Sequence, residues 1–190
     1  MNTTAIFLDR DGVINTCIRG KWTDHEDDFE LYPYTIKSMQ LLQQIGAPIF
    51  IATNQSGVAR KTLKHSEYYK ITAKMLKSFE DHEIEITRVY ECMHPKDGST
   101  NCPCRKPKTW MITKAIKEYE IPPGKMWMVG DSASDVEMAL MAGITPILVR
   151  TGLCDDIELA KSAKLVEDLK GEIYIEENLL AAAERIYSSS

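Results

Sequence analysis

The sequence has no uninterrupted apolar run approaching the roughly 18 residues that a membrane-spanning helix needs, so no membrane partner is expected. It has no excess of positive charge. Lys and Arg number 23 against 28 Asp and Glu, a net charge of −5. That balance disfavours a nucleic acid or an anionic lipid surface as partner. With 10 Gly and 8 Pro it is too poor in both for a collagen-like or low-complexity chain. No internal repeat stands out. The opening MNTTAIFLDRDG lacks a basic region followed by a long apolar stretch, so no secretion signal is read there and a cytoplasmic protein is expected. Five cysteines, at 17, 92, 102, 104 and 154, are an odd number, and three of them fall within thirteen residues. Clustering of that kind points to a metal rather than to disulfides.

What is present is ordinary globular composition, 44% hydrophobic and 27% charged. A chain of 190 residues fits about one domain and can bury about 70% of its unfolded surface. A single, monomeric domain over 1–187 is expected, since nothing in the sequence asks for a partner chain, with Ser188–Ser190 as a loose tail. Short apolar runs at Ala5–Leu8, Pro48–Ala52, Thr87–Cys92, Met126–Val129 and Thr145–Val149 each end in a polar loop. Runs of this kind fit strands buried on both faces. Helical spacing appears after Pro33 (Ile36, Met39, Leu42), from Ser66 to about His82 with Ser66 as N-cap, from near Thr109, and from near Ser134 to Gly143. Met126, Met128, Met138 and Met141 read as core filler. Strands alternating with helices predict an α/β fold, a doubly wound, mostly parallel, Rossmann-like sheet. Ligands in such sheets bind beyond the carboxyl ends of the strands.

Those strand ends carry the chemistry. The first is followed by Asp9-Arg10-Asp11-Gly12, the second by Thr53-Asn54-Gln55-Ser56-Gly57, the fourth by Gly130-Asp131-Ser132-Ala133-Ser134-Asp135. Arg105-Lys106 follows the third strand and its loop. Several carboxylates in one crevice repel each other, and a hard divalent cation such as Mg²⁺ relieves this. A lysine and a hydroxyl converging on a carboxylate and a metal suit a transferring phosphoryl group.

In order and in strand context these motifs resemble the haloacid-dehalogenase superfamily of phosphohydrolases, over almost the whole chain. The resemblance implies that Asp9 is the nucleophile and forms an aspartyl-phosphate. It implies that Asp11 is the acid and then the base, and that Thr53 and Lys106 bind phosphoryl oxygens. Mg²⁺ would be held by Asp9, Asp131 and the Asp11 carbonyl, with Asp135 behind them. On this scheme the metal lowers the pKa of Asp9, and the surroundings of Asp11 raise its pKa.

Cys92-x-His94 and Cys102-x-Cys104 bracket a seven-residue loop and match a structural Zn²⁺ site. The segment 88–114 has six basic and two acidic residues, a positive patch suited to a small phosphorylated substrate. Forty-four positions separate Asp9 from Thr53, and 53 separate Thr53 from Lys106, which leaves no room for a cap domain. Selectivity must then come from loops. Asn54, Gln55, Ser56, Arg105 and Cys17, Ile18, Arg19, Gly20 are the candidate substrate contacts.

The zinc loop followed by Cys-Arg-Lys-Pro resembles a capless group that includes the D-glycero-D-manno-heptose 1,7-bisphosphate 7-phosphatases and the histidinol-phosphate phosphatases. Residues 53–60 and 148–152 look more like the heptose enzymes. Ser132 stands where those commonly have Lys. A polynucleotide 3′-phosphatase, or an inactive zinc-stabilised binding module, are the remaining alternatives. The acidic net charge disfavours the first, and the intact acidic motifs the second.

Overall fold

The structure is a computed structural model and describes residues 2–17, 23–96 and 99–190. Among these residues, six parallel strands form one sheet: β1 (Thr3–Leu8), β2 (Ile49–Asn54), β3 (Arg88–Cys92), β4 (Lys125–Gly130), β5 (Thr145–Val149) and β6 (Tyr174–Glu176). Their order is β3-β2-β1-β4-β5-β6. The chain leaves β1 toward β2 on one side, and β4 lies on the other. The crevice between those two directions is the switch point where ligands bind in sheets of this type.

Register fixes what meets there. Leu8 pairs with Ile51 of β2 and with Val129 of β4, so Asp9 emerges level with the end of β4. Asn54 pairs with Cys92, which places the first thiol of the zinc loop beside the end of β2.

Among the described residues, seven α-helices cover the sheet: α1 (Thr35–Gln43), α2 (Ser56–Ala59), α3 (His65–Glu80), α4 (Trp110–Glu118), α5 (Ala133–Met141), α6 (Asp156–Leu169) and α7 (Leu179–Ser188). Alternation along the strands divides the core in two. Ile6, Leu8, Ile51, Trp127 and Val129 face α1, α3 and α7. Phe7, Phe50, Ala52 and Met128 face α4 and α5. The continuous apolar runs in the sequence follow from this burial on both faces.

The structure differs from the sequence reading in several places. Helix α3 begins at His65, after an Lys64 cap that makes no side-chain bond, so Ser66 lies inside it. Met141 is 57% exposed and fills no core. The last strand and last two helices were not anticipated. The terminal serines pack against the body: Ser190 Oγ lies 2.8 Å from Thr3 Oγ1 and 2.7 Å from the Ile186 carbonyl. No separate cap domain occurs among the described residues, and none of their helices is long and apolar enough to cross a membrane.

Candidate active site

Three carboxylates meet at the switch point. Asp9 follows β1, Asp131 follows β4, and Asp135 projects from the first turn of α5; their oxygens lie within 4.8 Å of one another. Burial pushes Asp9 up to about 7, with Asp135 and Asp11 adding to the effect and Lys106 opposing it. Asp131 is raised well above 3.8 by burial and then by Asp9 and Asp135. Asp131 is also tightly cradled. Leu153 N–H donates to its Oδ2 at 2.7 Å. A Cβ at Gly12 or Gly152 would stand 2.0 or 2.1 Å from that oxygen, and both glycines have positive φ. Crowded carboxylates with raised pKa values form an all-oxygen donor set short of positive charge. Mg²⁺ fits such a set. Without metal, burial and like charge outweigh Lys106 and keep Asp9 above its ordinary value.

Lys106 supplies part of the missing charge. Its Nζ is 2.8 Å from Asp9 Oδ1 and 2.7 Å from Asp135 Oδ1. It also donates to the Ala52 carbonyl at 2.9 Å. Burial disfavours its charge, but the two carboxylates outweigh that and raise its pKa. Asn54 pins the backbone at this point. It accepts from Lys106 N at 3.2 Å and donates to Lys106 O at 3.3 Å. Ser132 Oγ donates to Asp135 Oδ2 at 2.6 Å, so a hydroxyl holds the second oxygen of that carboxylate.

Asp11 points elsewhere. Arg10 grips it through Nη2 at 2.7 and 2.9 Å and through Nε at 3.2 Å. Gln55 Nε2 donates to it at 2.7 Å and Asn15 Nδ2 at 3.1 Å. Burial alone would raise its pKa, but Arg10 and these amides outweigh burial and hold it below the ordinary value. The expectation that its surroundings raise its pKa is therefore corrected. Its neighbours stabilise the ionised form, which accepts a proton. Arg10 is almost wholly buried, with its guanidinium 5.7 Å from the centroid of the Tyr68 ring. Sequence reading passed it over because an arginine in a loop carries no signal of burial. Gln55 also donates to Thr53 Oγ1 at 2.9 Å, linking that hydroxyl to Asp11.

The second cluster is Cys92, His94, Cys102 and Cys104. Cys92 and Cys102 sulfurs are 3.8 Å apart, and His94 Nδ1 lies 3.6 Å from Cys92 and 3.2 Å from Cys104. Zn–S bonds of about 2.3 Å give tetrahedral S···S edges of about 3.8 Å. The four side chains thus fit a closed zinc site. Arg105 Nη1 donates to the His94 carbonyl at 3.3 Å, so the loop that would hold zinc also holds Arg105.

A cavity of about 770 Å³ opens over Asp9 and Lys106. Cys17, Ser56 and Arg105 line it, as do Thr53, Asn54 and Gln55. Ser56 Oγ accepts from Arg60 Nη1 at 3.1 Å. Ile18, Arg19 and Gly20 lie outside the described residues. A wall contributed by α6 was not foreseen.

The HAD-hydrolase-like family model matches residues 103–171. The D-glycero-beta-D-manno-heptose-1,7-bisphosphate 7-phosphatase of Haemophilus ducreyi is 37% identical over 172 residues, 87% of this chain and 93% of that protein. The D-glycero-alpha-D-manno-heptose-1,7-bisphosphate 7-phosphatase of Campylobacter jejuni is 38% identical over 149 residues, 78% of this chain and 83% of its own. Among solved structures, the D,D-heptose 1,7-bisphosphate phosphatase of B. bronchiseptica, complexed with magnesium and phosphate, superposes with a TM-score of 0.84 at 28% identity, covering 98% of this chain and 99% of that one. Strand-end carboxylates, a buried lysine and kinship along most of both chains agree, and the protein belongs to this family of haloacid-dehalogenase-like phosphatases.

Proposed function

We propose that the protein hydrolyses the 7-phosphate of D-glycero-D-manno-heptose 1,7-bisphosphate through an aspartyl-phosphate on Asp9. The observation that carries this reading is kinship: the relatives named above are heptose bisphosphate phosphatases matched over most of their own length. Asp9, Asp131 and the Asp11 carbonyl would hold Mg²⁺, with Asp135 behind them. The ion would supply positive charge to the phosphoryl oxygens and favour the ionised form of Asp9.

An Asp9 oxygen attacks phosphorus, and the bond from phosphorus to the sugar oxygen breaks. Asp11 gives that oxygen a proton. A water then attacks the aspartyl-phosphate, Asp11 takes its proton, and Asp9 is released with inorganic phosphate. Asp11 needs a proton for the first half, and Arg10 works against it. The arriving phosphate brings negative charge beside the carboxyl and raises its proton affinity. Lys106 and the Thr53 hydroxyl steady the phosphoryl oxygens, a contribution that grows as charge shifts in the transition state. Barrier lowering for such esters is about 20 kcal/mol, so a covalent step and several fixed charges are all called upon.

We infer further that Cys92, His94, Cys102 and Cys104 hold a structural Zn²⁺ that fixes Arg105 and Lys106 relative to the sheet. Phosphate release from heptose 1,7-bisphosphate and from histidinol phosphate, compared by kcat/KM with Mg²⁺, tests the substrate. A higher value on histidinol phosphate would overturn the reading. ³¹P NMR of the product shows which phosphate is lost.

A further inference from the structure

Helix α6 runs along the catalytic cavity. Asp155 caps it, accepting from the N–H groups of Ile157 and Glu158 at 3.0 and 2.9 Å. Glu158, Lys161, Lys164, Leu165 and Asp168 then line the same cavity as Asp9 and Lys106. Spacings of three and four residues put these side chains on one face of the helix.

The near end of that face is anchored at the catalytic loop. Glu158 Oε2 accepts from Ala133 N at 2.9 Å, two residues beyond Asp131. Its other oxygen pairs with Lys161 at 2.8 Å, so the charge of Lys161 is already matched. Lys164 lies six residues beyond Glu158, about 9 Å further along the axis at 1.5 Å per residue. It is exposed to the cavity, and among the described residues it has no ion pair. Lys106 cannot serve a second anion, because it is buried between Asp9 and Asp135.

A substrate phosphorylated at both ends puts one phosphate at Asp9 and needs a cation at a distance for the other. We propose that Lys164, on the cavity face of α6, binds the remote phosphate of a sugar bisphosphate, so that α6 takes over the selecting role of the absent cap. This assignment rests on the proposed function and deepens it. Lys164 is a solvated side chain, so its replacement leaves the fold intact, which a thermal melt verifies.

The test compares wild type, Lys164→Ala and Lys164→Arg on heptose 1,7-bisphosphate and on phenyl phosphate, which has no second anion. Lys164→Ala should raise KM for the bisphosphate about tenfold, the scale of one charge-assisted contact. Its kcat should hold, phenyl phosphate should be unaffected, and Lys164→Arg should restore most of the loss. An unchanged KM, or an equal loss on both substrates, overturns the assignment while leaving the enzyme's function standing. A wild type that shows no preference for the bisphosphate over phenyl phosphate overturns the function and this assignment with it.

Discussion

Lys106 and Asp135 form a buried ion pair, 2.7 Å apart, with each side chain almost fully withdrawn from water. The pair joins the end of the zinc-loop segment to the first turn of α5. Removing one partner from a buried pair strands the other charge and costs about 3–5 kcal/mol. Asp135→Ala should therefore destabilise the fold by about that amount in urea melts, and activity should fall with it. A variant as stable as wild type would show that Lys106 finds enough compensation in Asp9.

Asp9 sits on the other side of the same ammonium, at 2.8 Å. Asparagine at position 9 keeps the shape and removes the nucleophile. Asp9→Asn should lose at least about a thousandfold in kcat, with no acid-stable phosphorylated protein after a quench. Asp11→Asn should instead accumulate the aspartyl-phosphate if it blocks the second half more than the first. Turnover by Asp9→Asn above a few per cent of wild type would rule out the covalent route.

The raised pKa of Asp9 gives a pH signature in metal-free protein. A carboxyl at about 7 when folded, against 3.8 ordinarily, favours the folded state below 3.8, and that favour is lost as pH rises through 7. Asp131 shifts in the same direction. Asp11 is lowered, so its contribution changes only at more acid pH. With chelator present, these groups should make the protein less stable at pH 8 than at pH 5.5. Mg²⁺ competes with protons for them, so the rise in Tm it produces should be larger at pH 8. An equal rise at both pH values would show that the metal does not bind these carboxylates.

Much of the site was legible because each motif follows a short apolar run, and the parallel sheet sends every such run to the same edge. Asp9, Thr53 and Asp131 converge for that reason, and Lys106 joins them through the loop beyond β3, where Asn54 bonds its backbone. The C-terminal third was harder to read. β6 has three residues, none fully buried, and α6 buries only Ser162, so neither leaves a strong apolar pattern. α7 did leave one: Leu179, Ala182, Ala183 and Ile186 are buried at helical spacing behind an Asn178 cap that accepts from Leu180 and Ala181. Arg10 and the paired glycines could not be read, since burial of a loop arginine and the approach of two distant turns depend on the closed fold.

The zinc loop offers a separable test. Protein purified without chelator should contain one Zn²⁺ per chain by elemental analysis. Cys102→Ser should lower Tm and, because Arg105 is bonded to the His94 carbonyl, weaken substrate binding as well. Its position beside β3 couples the loop to the sheet edge, where Gln55 N donates to Cys92 O at 2.7 Å. Unaltered stability in Cys102→Ser would remove the metal's structural role.

Gly152 and Gly46 separate backbone strain from site geometry. Both have positive φ, +60° and +78°. Alanine at either must bear the left-handed conformation, about 1–2 kcal/mol. Around Gly46 nothing lies within 4 Å of the added carbon, so strain is the whole cost. At Gly152 that carbon would stand 2.1 Å from Asp131 Oδ2 and 2.5 Å from the Gly12 Cα, and the second of these is backbone that cannot rotate away. One of the two turns must retreat and take the Asp131 cradle with it. Gly46→Ala should therefore lower Tm modestly and keep kcat and the Mg²⁺ requirement. Gly152→Ala should lose more stability and also require more Mg²⁺ for half-maximal activity. If the two variants lost the same stability and kept the same Mg²⁺ dependence, the close approach of Gly12 and Gly152 would not be what shapes the metal-binding carboxylate.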